Sequence, residues 1–395
     1  MSEFRTIREL CSVVVDCPHS TPKWTANGKI VIRNKNIKHG KIDFSSPSYT
    51  DDEHFAQRIK RAKPQPGDII ITREAPIGDV GMIPENTECC LGQRMVLLRA
   101  NQSVCDNFYL LYSLQSLYVQ HQISWSEGTG TTVSNLRIPH LEQIQIPYLP
   151  LEQQAKISSV LRALEEKIEN NRRLNDNLEQ HAQSYFQELF VDNADPEWAI
   201  GTISDLGTVV GGSTPSKAKP EYYTESGIAW ITPKDLSINK SKFVSHGEND
   251  ITELGLKNSS AAIMPEGTVL FSSRAPIGYI AIAAGEVTTN QGFKSVVPKP
   301  EIGTPFVYFF LKNTLPVIEG MASGSTFKEV SGSTMKNVPA VIPDAETLAK
   351  FSDFCAPIFA QQRILEEQNQ SLATLRDNLL PKLMSGEIDV SAVQL

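Results

Sequence analysis

An internal repeat is the feature that most constrains what this chain can fold into. The segment GDIIITREAPIG that begins at Gly67 returns as GTVLFSSRAPIG at Gly267, an offset of 200 positions without a gap. Further matches follow in the same order and at nearly the same spacing, and they pair residues 10–14 with 206–210, Gln93 with Gln291, and 146–147 with 342–343. Because repetition at a fixed period is typical of duplicated structural units, the sequence predicts a tandem duplication.

Each copy begins with a part that is rich in short apolar runs. Examples are residues 68–71 and 95–98 in the first copy, and residues 268–271 and 295–297 in the second. Turns rich in Gly and Pro separate these runs, which is the pattern of β-strands in a mixed domain. A helical stretch near residues 108–119 interrupts the strands.

The second part of each copy has the spacing of a coiled-coil helix. Such a seam, sustained over several heptads, predicts two long helices that pair. A helix over residues 151–189 would be about 58 Å long, whereas the connector 191–200 reaches at most about 36 Å. Parallel pairing would need the connector to span a helix length, so the sequence predicts an antiparallel pair. The residues that alternate spacings of four and three are Ile157, Leu161, Leu164, Ile168, Asn171, Asn175, Leu178, Ala182, Tyr185 and Leu189, and then Phe354, Ile358, Gln361, Leu365, Gln368, Leu372, Leu375 and Leu379.

Four amide side chains interrupt the apolar seam. Asn171 and Asn175 in the first helix, and Gln361 and Gln368 in the second, stand where apolar residues are expected. Buried amides at such positions cost stability and fix the register and the partner of a helix pair. The alternative interpretation is that the seam ends or drifts, so that these amides face solvent.

Together these patterns predict an α+β fold. Two mixed β-rich globules are separated by two long α-helices that pair as an antiparallel coiled coil, with an internal pseudo-two-fold symmetry. The predicted divisions are residues 1–150 and 191–346 for the globules, and 151–190 and 347–395 for the helices.

Composition places the chain among folded proteins without a membrane helix. Hydrophobic residues make up 40% and charged residues 21% of the chain, which is typical of a globular protein rather than a disordered one. No apolar run approaches the roughly 18 residues that a membrane helix needs. The N-terminus is charged and lacks the apolar core of a signal peptide. The six cysteines are scattered, which favours reduced thiols and a cytoplasmic location over a disulfide framework.

The sequence lacks motifs for catalysis or metal binding. There is no Gly-x-x-x-x-Gly-Lys-Ser/Thr phosphate loop, no dinucleotide-binding glycine motif, and no Asn-Pro-Pro-aromatic motif of the kind that amino-methyltransferases carry. Cys17 and His19 form a lone short cluster, and the neighbours Cys89 and Cys90 have no partner pair at zinc-ligand spacing. We therefore expect no catalytic residue, no metal and no enzymatic activity of this chain alone.

Positive charge is local, and it is concentrated in the first copy. The net charge is −8, but residues 1–150 hold 16 Lys and Arg against 15 Asp and Glu, whereas residues 191–346 hold 12 against 17. Residues 33–38 and 58–63 are basic clusters that suit contacts with DNA phosphates, although solvated protein faces produce similar clusters. The residues predicted to contact DNA are Arg33, Asn34, Lys35, Arg58, Lys60, Arg61, Arg73, Gln93, Arg94, Lys234, Arg274, Gln291 and Lys328.

The repeated Ala-Pro-Ile-Gly turn gives the most specific candidates. Arg73 and Arg274 leave an apolar strand just before this turn, and the following proline stiffens the chain. A rigid turn suits a guanidinium that meets a guanine edge or a phosphate. In the alternative interpretation, these arginines bond local carbonyls and serve folding. Asn34, Gln93 and Gln291 can bind adenine edges in a bidentate way, although amides in loops usually cap turns.

Several segments resemble the specificity (S) subunits of type I restriction–modification systems. WAIGTISDL from Trp198 and GGSTP from Gly211 are similar to the start of a target recognition domain. LEQQAKI from Leu151 is similar to the central conserved region of that family, and LRDNLLPKLMSGEI from Leu375 is similar to the C-terminal one. The first copy departs from the pattern, because Phe4 stands where the second copy has Trp198.

The resemblance implies a DNA-reading subunit that is not itself catalytic. In this family the subunit joins two modification subunits, which bind S-adenosylmethionine and methylate N6 of adenine. Restriction subunits, which use ATP and Mg²⁺, then translocate and cleave double-stranded DNA. Each recognition domain reads one half of an asymmetric bipartite target, and the conserved helices set the distance between the halves. The resemblance therefore implies these partners, no cofactor bound by this chain and no membrane.

Other functions stay open at this point. A coiled-coil scaffold with two protein-binding globules has the same layout. A self-sufficient methyltransferase or nuclease is opposed by the missing motifs. Within the family, the chain could also be a spare specificity allele that exchanges recognition domains by recombination.

Overall fold

The chain folds into two units in the computed structural model, which describes residues 3–125, 135–324 and 328–390. The first unit combines Met1–Lys167 with Ser371–Leu395, and the second unit is Ile168–Gln370. Each unit therefore contains one copy of the repeat together with a part of each long helix.

Short strands dominate the first unit. Its strands are β1 Glu3–Thr6, β2 Cys11–Asp16, β3 Trp24–Thr25, β4 Lys29–Ile32, β5 Ile37–Lys38, β6 Lys41–Ile42, β7 Ser48–Thr50, β8 Ile69–Arg73, β9 Ile77–Met82, β10 Cys89–Leu91, β11 Met95–Ala100 and β12 Gln145–Tyr148. Its helices are α1 Ile7–Leu10, α2 Asp52–Arg58, α3 Asn107–Gln115, α4 Leu117–Ser124, α5 Ile138–Gln143 and the first part of α6 Leu151–Gln187.

The second unit follows the same plan. Its strands are β13 Ala199–Thr202, β14 Gly207–Gly211, β15 Tyr223–Thr224, β16 Ile228–Ile231, β17 Phe243–Val244, β18 Asn249–Ile251, β19 Val269–Ser273, β20 Ile277–Ala283, β21 Thr288–Thr289, β22 Lys294–Pro298 and β23 Pro339–Ile342. Its helices, besides the end of α6, are α7 Ile203–Leu206, α8 Pro233–Ile238, α9 Glu253–Lys257, α10 Thr304–Met321, α11 Gly332–Lys336 and the first part of α12 Ala345–Ser385.

The two units contain the same pair of sheets. In the first unit, one sheet has the strand order β2-β11-β8-β9 and the other has β10-β4-β7-β3. The second unit has β14-β22-β19-β20, extended by β17, and β21-β16-β18-β15. A short antiparallel pair, β1 with β12 or β13 with β23, completes each unit. The repeat predicted from the sequence is thus confirmed as a repeat of strand order.

A continuous apolar core joins sheet and helices in the first unit. Ile69 of β8 and Leu98 of β11 pack with Tyr109 of α3 and Ile157 of α6, and each of them is at most 1% exposed. Residues on both faces of β8 are buried, which explains why this strand has an unbroken apolar run instead of an alternating one. Burial of each such side chain contributes about 1.5–3 kcal/mol.

Aromatic side chains dominate the core of the second unit. Phe186 of α6 and Phe351 of α12 have ring centroids 5.8 Å apart, and both meet Phe309 of α10. Tilted and edge-to-face ring pairs add about 0.5–1.5 kcal/mol each beyond the buried area. The long helices are therefore part of the folded core of this unit.

The ends of the two long helices have distinct backbone conformations. A π-helical turn, Glu188–Asp192, follows α6, and α12 ends at Ser385. Gly386, directly after α12, has a φ of 75°, a left-handed conformation that favours glycine at a helix C-terminus. Among the described residues, no helix has the length and the apolarity needed to cross a membrane.

Two of the four predicted seam amides, Gln361 and Gln368, are exposed, and Asn175 is partly buried. Asn171 is 2% exposed, and its Nδ2 donates to Oε1 of Gln368 over 3.3 Å. Gln361 is exposed, however, and Gln362 is the buried residue, with its Nε2 donating to the carbonyl of Asn175 over 3.3 Å. Gln361 was therefore the wrong seam residue. The error arises because apolar residues in this half of α12 repeat with helical spacing from two adjacent starting points, Phe354 and Cys355. The residues that are buried follow the spacing that starts at Cys355.

Candidate nucleic-acid interface

A polar cleft in the first unit brings together five of the residues predicted to contact DNA. Arg33, Asn34, Lys35, Gln93 and Arg94 line this first cleft, which has a cavity volume of about 250 Å³. The residues that complete its lining are Pro22, Trp24, Ala75 and Gly92.

Local hydrogen bonds hold the basic loop of the first cleft. After β4, residues Asn34–Asn36 form a 3₁₀ turn in which the Asn36 side chain accepts from the backbone N–H of Arg33 and donates to the carbonyl of Asp43. Nδ2 of Asn34 donates to the carbonyl of Glu74, in the turn between β8 and β9, over 2.6 Å. The loop and the turn are thus fixed against each other before any ligand binds.

The first cleft offers positive charge beside an exposed aromatic ring. Trp24 is 45% exposed, and the guanidinium of Arg33 lies 5.0 Å from its ring centroid. Nζ of Lys35 donates to Oγ of Ser46, in the loop between β6 and β7. Arg94 is 3.4 Å from the carboxylate of Glu74. This combination suits a polyanion with flat rings, because cations bind phosphates and a ring face stacks on bases.

A second cleft lies at the equivalent place in the second unit. It has a cavity volume of about 490 Å³ and includes the predicted residues Lys234, Arg274 and Gln291. Trp230 lines it and is fixed by a hydrogen bond from Nε1 to the carbonyl of Ser213 over 3.0 Å. Its other lining residues are Thr214, Lys217, Thr232, Pro233, Asp235, Glu248, Asn249, Ala275, Asn290 and Gly292.

Each cleft contains a glutamine at the same point of the repeat. Nε2 of Gln93 donates to the carbonyl of His19, and Oε1 of Gln291 accepts from Thr214. Each amide is oriented through one of its polar atoms, and a carboxamide has both donor and acceptor capacity. Two oriented amides in matching clefts are therefore suited to bind base edges.

The two candidate arginines of the repeated turn are not equivalent. Arg73 pairs with Ile77 in the hairpin of β8 and β9, whereas the residue that pairs with Ile277 in the second hairpin is Ser273. Arg274 therefore lies one position further along its turn. This register explains why Arg73 does not line the first cleft, whereas Arg274 does line the second.

The Arg73 guanidinium makes hydrogen bonds and an ion pair with other residues of the first unit. Arg73 is 9% exposed. Its Nε donates to the carbonyl of Leu136 over 2.9 Å, and its Nη1 lies 2.8 Å from Oδ1 of Asp16. Its Nη2 donates to the side-chain oxygen of Asn135. The alternative interpretation, in which the arginine serves folding through local bonds, thus fits Arg73. Arg274 is 38% exposed at its side chain and has an ion pair with Glu329 at 3.4 Å.

We expect Arg73→Ala and Arg274→Ala to differ in stability. Arg73→Ala leaves a partly buried carboxylate and a buried carbonyl without their partner, so the free energy of unfolding should fall by about 2–4 kcal/mol. Arg274→Ala removes a half-exposed ion pair and should change it by less than about 1 kcal/mol. Urea denaturation of both variants measures the difference, and equal losses would contradict the assignment of Arg73 to folding.

The other predicted residues lie outside both clefts. Arg58 is 5% exposed, and its guanidinium donates to four backbone carbonyls. This burial contradicts its prediction as a phosphate contact. Lys60, Arg61 and Lys328 are exposed, and Arg61 donates to the carbonyl of Asp16 over 3.4 Å.

Sequence reasoning missed the tryptophans of the clefts. Trp24 on β3 and Trp230 on β16 lie on strands that are not equivalent, because β3 corresponds in sheet order to β15 and β16 corresponds to β4. Trp24 precedes a basic cluster by nine positions, and a tryptophan near such a cluster is the signal that could have found it.

The described residues contain no group of three or more His, Cys, Asp or Glu that could hold a metal ion. The six cysteines are buried and unpaired. Burial raises the pKa of the Cys89 and Cys355 thiols to about 12, so they are protonated at neutral pH.

Comparison with known proteins gives relatives along most of the chain. The type I restriction enzyme MjaIX specificity subunit of Methanocaldococcus jannaschii is 39% identical over 194 residues, which are 47% of this chain and 45% of that protein. The chain thus matches less than half of the length of this relative. The putative type I restriction enzyme MjaX specificity subunit of the same organism is 21% identical, and the alignment covers 98% of this chain and 94% of that protein.

The fold has a counterpart among solved structures. The crystal structure of a type I restriction–modification system S subunit from M. genitalium superposes with a TM-score of 0.61 at 19% identity, and it covers 97% of this chain and 96% of that one. A sequence model described as type I restriction modification DNA specificity domain matches residues 3–180 and again residues 196–375. Since these two matches cover most of the sequence and coincide with the repeated strand order, the chain belongs to the family of type I restriction modification DNA specificity domains.

Proposed function

We propose that this chain is the sequence-reading subunit of a type I restriction–modification complex. Each unit reads one half of an asymmetric bipartite target in double-stranded DNA, and the chain itself catalyses nothing. The observation that carries the proposal is the duplicated cleft: each unit has one at the equivalent place, with a glutamine at the same point of the repeat and with an arginine and a tryptophan in its lining. Two readers on one chain suit a target with two separate halves.

Differences between the clefts support an asymmetric target. Arg33 and Asn34 line the first cleft, whereas Thr232 and Pro233 occupy the equivalent strand end in the second. The second cleft also contains the carboxylates of Asp235 and Glu248. Because a base pair is distinguished by its pattern of donors and acceptors, two unlike linings select two unlike half-sites.

We propose further that α6 and α12 pair as an antiparallel coiled coil with pseudo-two-fold symmetry. In the second unit, Asn171 contacts Gln368 and Tyr185 contacts Phe354, so the partner number falls as the residue number rises. In the first unit, Glu165 lies 3.9 Å from Arg376. This opposite numbering and the repeated sheets support the proposal. The proposal keeps the predicted division into residues 1–150, 151–190, 191–346 and 347–395.

The partners in this proposal are two modification subunits and restriction subunits. The modification subunits would bind S-adenosylmethionine and methylate adenine N6, and the restriction subunits would use ATP and Mg²⁺. The chain would place both activities on the target in the cytoplasm. Its own residues need only bind DNA and those subunits, which agrees with the cleft chemistry described above.

The two glutamines provide a test of the proposal. We expect Gln93→Ala to relax base preference at one position of one half-site by about tenfold, and Gln291→Ala to do so in the other half-site, because a bidentate amide contributes about 1–3 kcal/mol of discrimination. The measurement is sequencing of DNA selected from a random pool by the chain together with its modification subunits. Gln57→Ala, an exposed glutamine of α2, is the matched control. Selection of the parent sequences by both cleft variants would refute these contacts.

A further inference from the structure

A lysine of the second unit is buried between the globule and the long helices. Lys242 lies between α8 and β17, and its side chain is only 6% exposed. Its Nζ lies 2.7 Å from Oε2 of Glu179 on α6 and 2.9 Å from Oε1 of Gln362 on α12. The same ammonium lies 3.5 Å from the ring centroid of Phe359. One loop residue of the globule thus contacts both helices at once.

Two lysines, Lys242 and Lys312, pair with the carboxylate of Glu179 in this cluster. Burial alone would raise the pKa of Glu179, but Lys242 and Lys312 outweigh it and lower that pKa to about 2. Burial lowers the pKa of Lys242 to about 8, against the opposing effect of Glu179. Both groups are therefore mainly ionised at neutral pH. A buried charge that loses its partner is strongly unfavourable, so the cluster has one favoured arrangement.

A second contact fixes the backbone at the same place. The carboxylate of Glu366 on α12 accepts from the backbone N–H of Lys242 over 2.7 Å and from that of Phe243 over 3.0 Å. Such a two-point contact fixes orientation as well as distance, because both oxygens are used. The start of β17 is therefore held to α12 through main chain and side chain together.

The first unit has no lysine at the equivalent position. The backbone N–H of Met82 donates to the carbonyl of Gly40, as that of Ile282 donates to the carbonyl of Lys242. Gly40 thus occupies the place of Lys242, and its φ of 80° favours glycine. The anchor formed by Lys242, Glu179 and Gln362 belongs to the second unit and has no counterpart at Gly40.

The anchor is close in sequence to the second cleft. Lys234 and Pro233 line that cleft at the start of α8, and Lys242 follows the end of α8 at Ile238 by four positions. α8 and the residues between it and Lys242 therefore connect the cleft lining to the anchor. A displacement of this loop on the helices would move one wall of the cleft.

We propose that Lys242 is a positioning residue that fixes the orientation of the second cleft on the long helices. This inference rests on the proposed DNA-reading function and extends it to the spacing between the half-sites. Neighbouring base pairs are about 3.4 Å apart along DNA. A second globule that moves by that distance would accept a half-site displaced by one base pair, and the anchor prevents this.

The test compares Lys242→Met with Lys240→Met. Methionine keeps an unbranched side chain of similar length but removes the charge, and Lys240 is a nearby lysine over the ring of Tyr279. Each full chain, in complex with its modification subunits, selects DNA from a random pool, and sequencing gives the half-site bases and the gap length. We expect Lys242→Met to raise the share of gaps altered by one base pair at least tenfold, with both half-sites unchanged. Lys240→Met should select the parent gap.

Other results distinguish a failure of the inference about Lys242 from a failure of the proposed DNA-reading function. If Lys242→Met loses affinity or melting temperature but keeps the parent gap, the residue is merely structural and the inference is overturned. If Lys242→Met does not fold, Glu366→Ala removes the backbone contact alone, and the same broadening of the gap is expected. A parent chain that selects no bipartite sequence would refute the DNA-reading function instead.

Discussion

A chain in which residues 1–150 are replaced by those of another family member should recognise one new half-site and keep the other half-site unchanged. The reason is that every residue lining the first cleft lies within this segment, and every residue lining the second cleft lies within residues 191–346. The expected effect is a complete change of base preference in one half. Methylation of a host genome that carries the exchanged chain and its modification subunits measures it.

The exchange must preserve the apolar core in which the first globule packs against α6 and α12. Tyr109 and Leu98 in the exchanged segment pack against Ile157 of α6 and Leu383 of α12. A donor with apolar residues of similar volume at these places keeps this packing, since volume-conserving core substitutions cost less than about 1.5 kcal/mol. The reciprocal exchange of residues 191–346 is the control and should alter the other half-site. A change in both half-sites after either exchange would contradict independent reading by the two clefts.

The repeat made the architecture predictable, because equal sequence segments fold into equal strand orders. The same sequence patterns did not distinguish adjacent apolar series in α12, so Gln361 was chosen in place of Gln362. In α12, Phe354 is followed by the apolar Cys355, and Ile358 is followed by the apolar Phe359. Helical periodicity therefore fits two faces of the helix that differ by one position in sequence. The choice between such series depends on what packs against the helix.

The candidate site was predicted in part for a similar reason. Arg33, Gln93 and Gln291 were found because charge and repeated amides are visible in sequence. Arg73 and Arg274 looked equivalent, but Arg73 is the last residue of a buried strand, whereas Arg274 lies one position later, in the turn after its strand. Lys242 was not singled out, because its role depends on carboxylates far away in sequence.

Arg58→Ala should lower the free energy of unfolding of the first unit by about 4 kcal/mol or more. The Arg58 guanidinium donates to four carbonyls, and its removal leaves the buried carbonyls of Leu91 and Gly92 without that donor, at about 1–3 kcal/mol each. Such a loss is a large part of the typical 5–15 kcal/mol stability of a domain. Urea denaturation followed by tryptophan fluorescence measures it. The four carbonyls belong to Pro18, Ser20, Leu91 and Gly92.

Lys60→Ala is the matched control, because Lys60 belongs to the same basic cluster but is exposed. Its unfolding free energy should stay within about 0.5 kcal/mol of the parent. If Lys60 contacts a phosphate, the slope of log affinity against log salt should decrease by about one. Arg58→Ala, measured at a temperature where it is folded, should keep the parent slope. A reduced slope for Arg58→Ala with unchanged stability would mean that this arginine leaves its buried site to bind DNA, since only a guanidinium released from the four carbonyls can reach a phosphate.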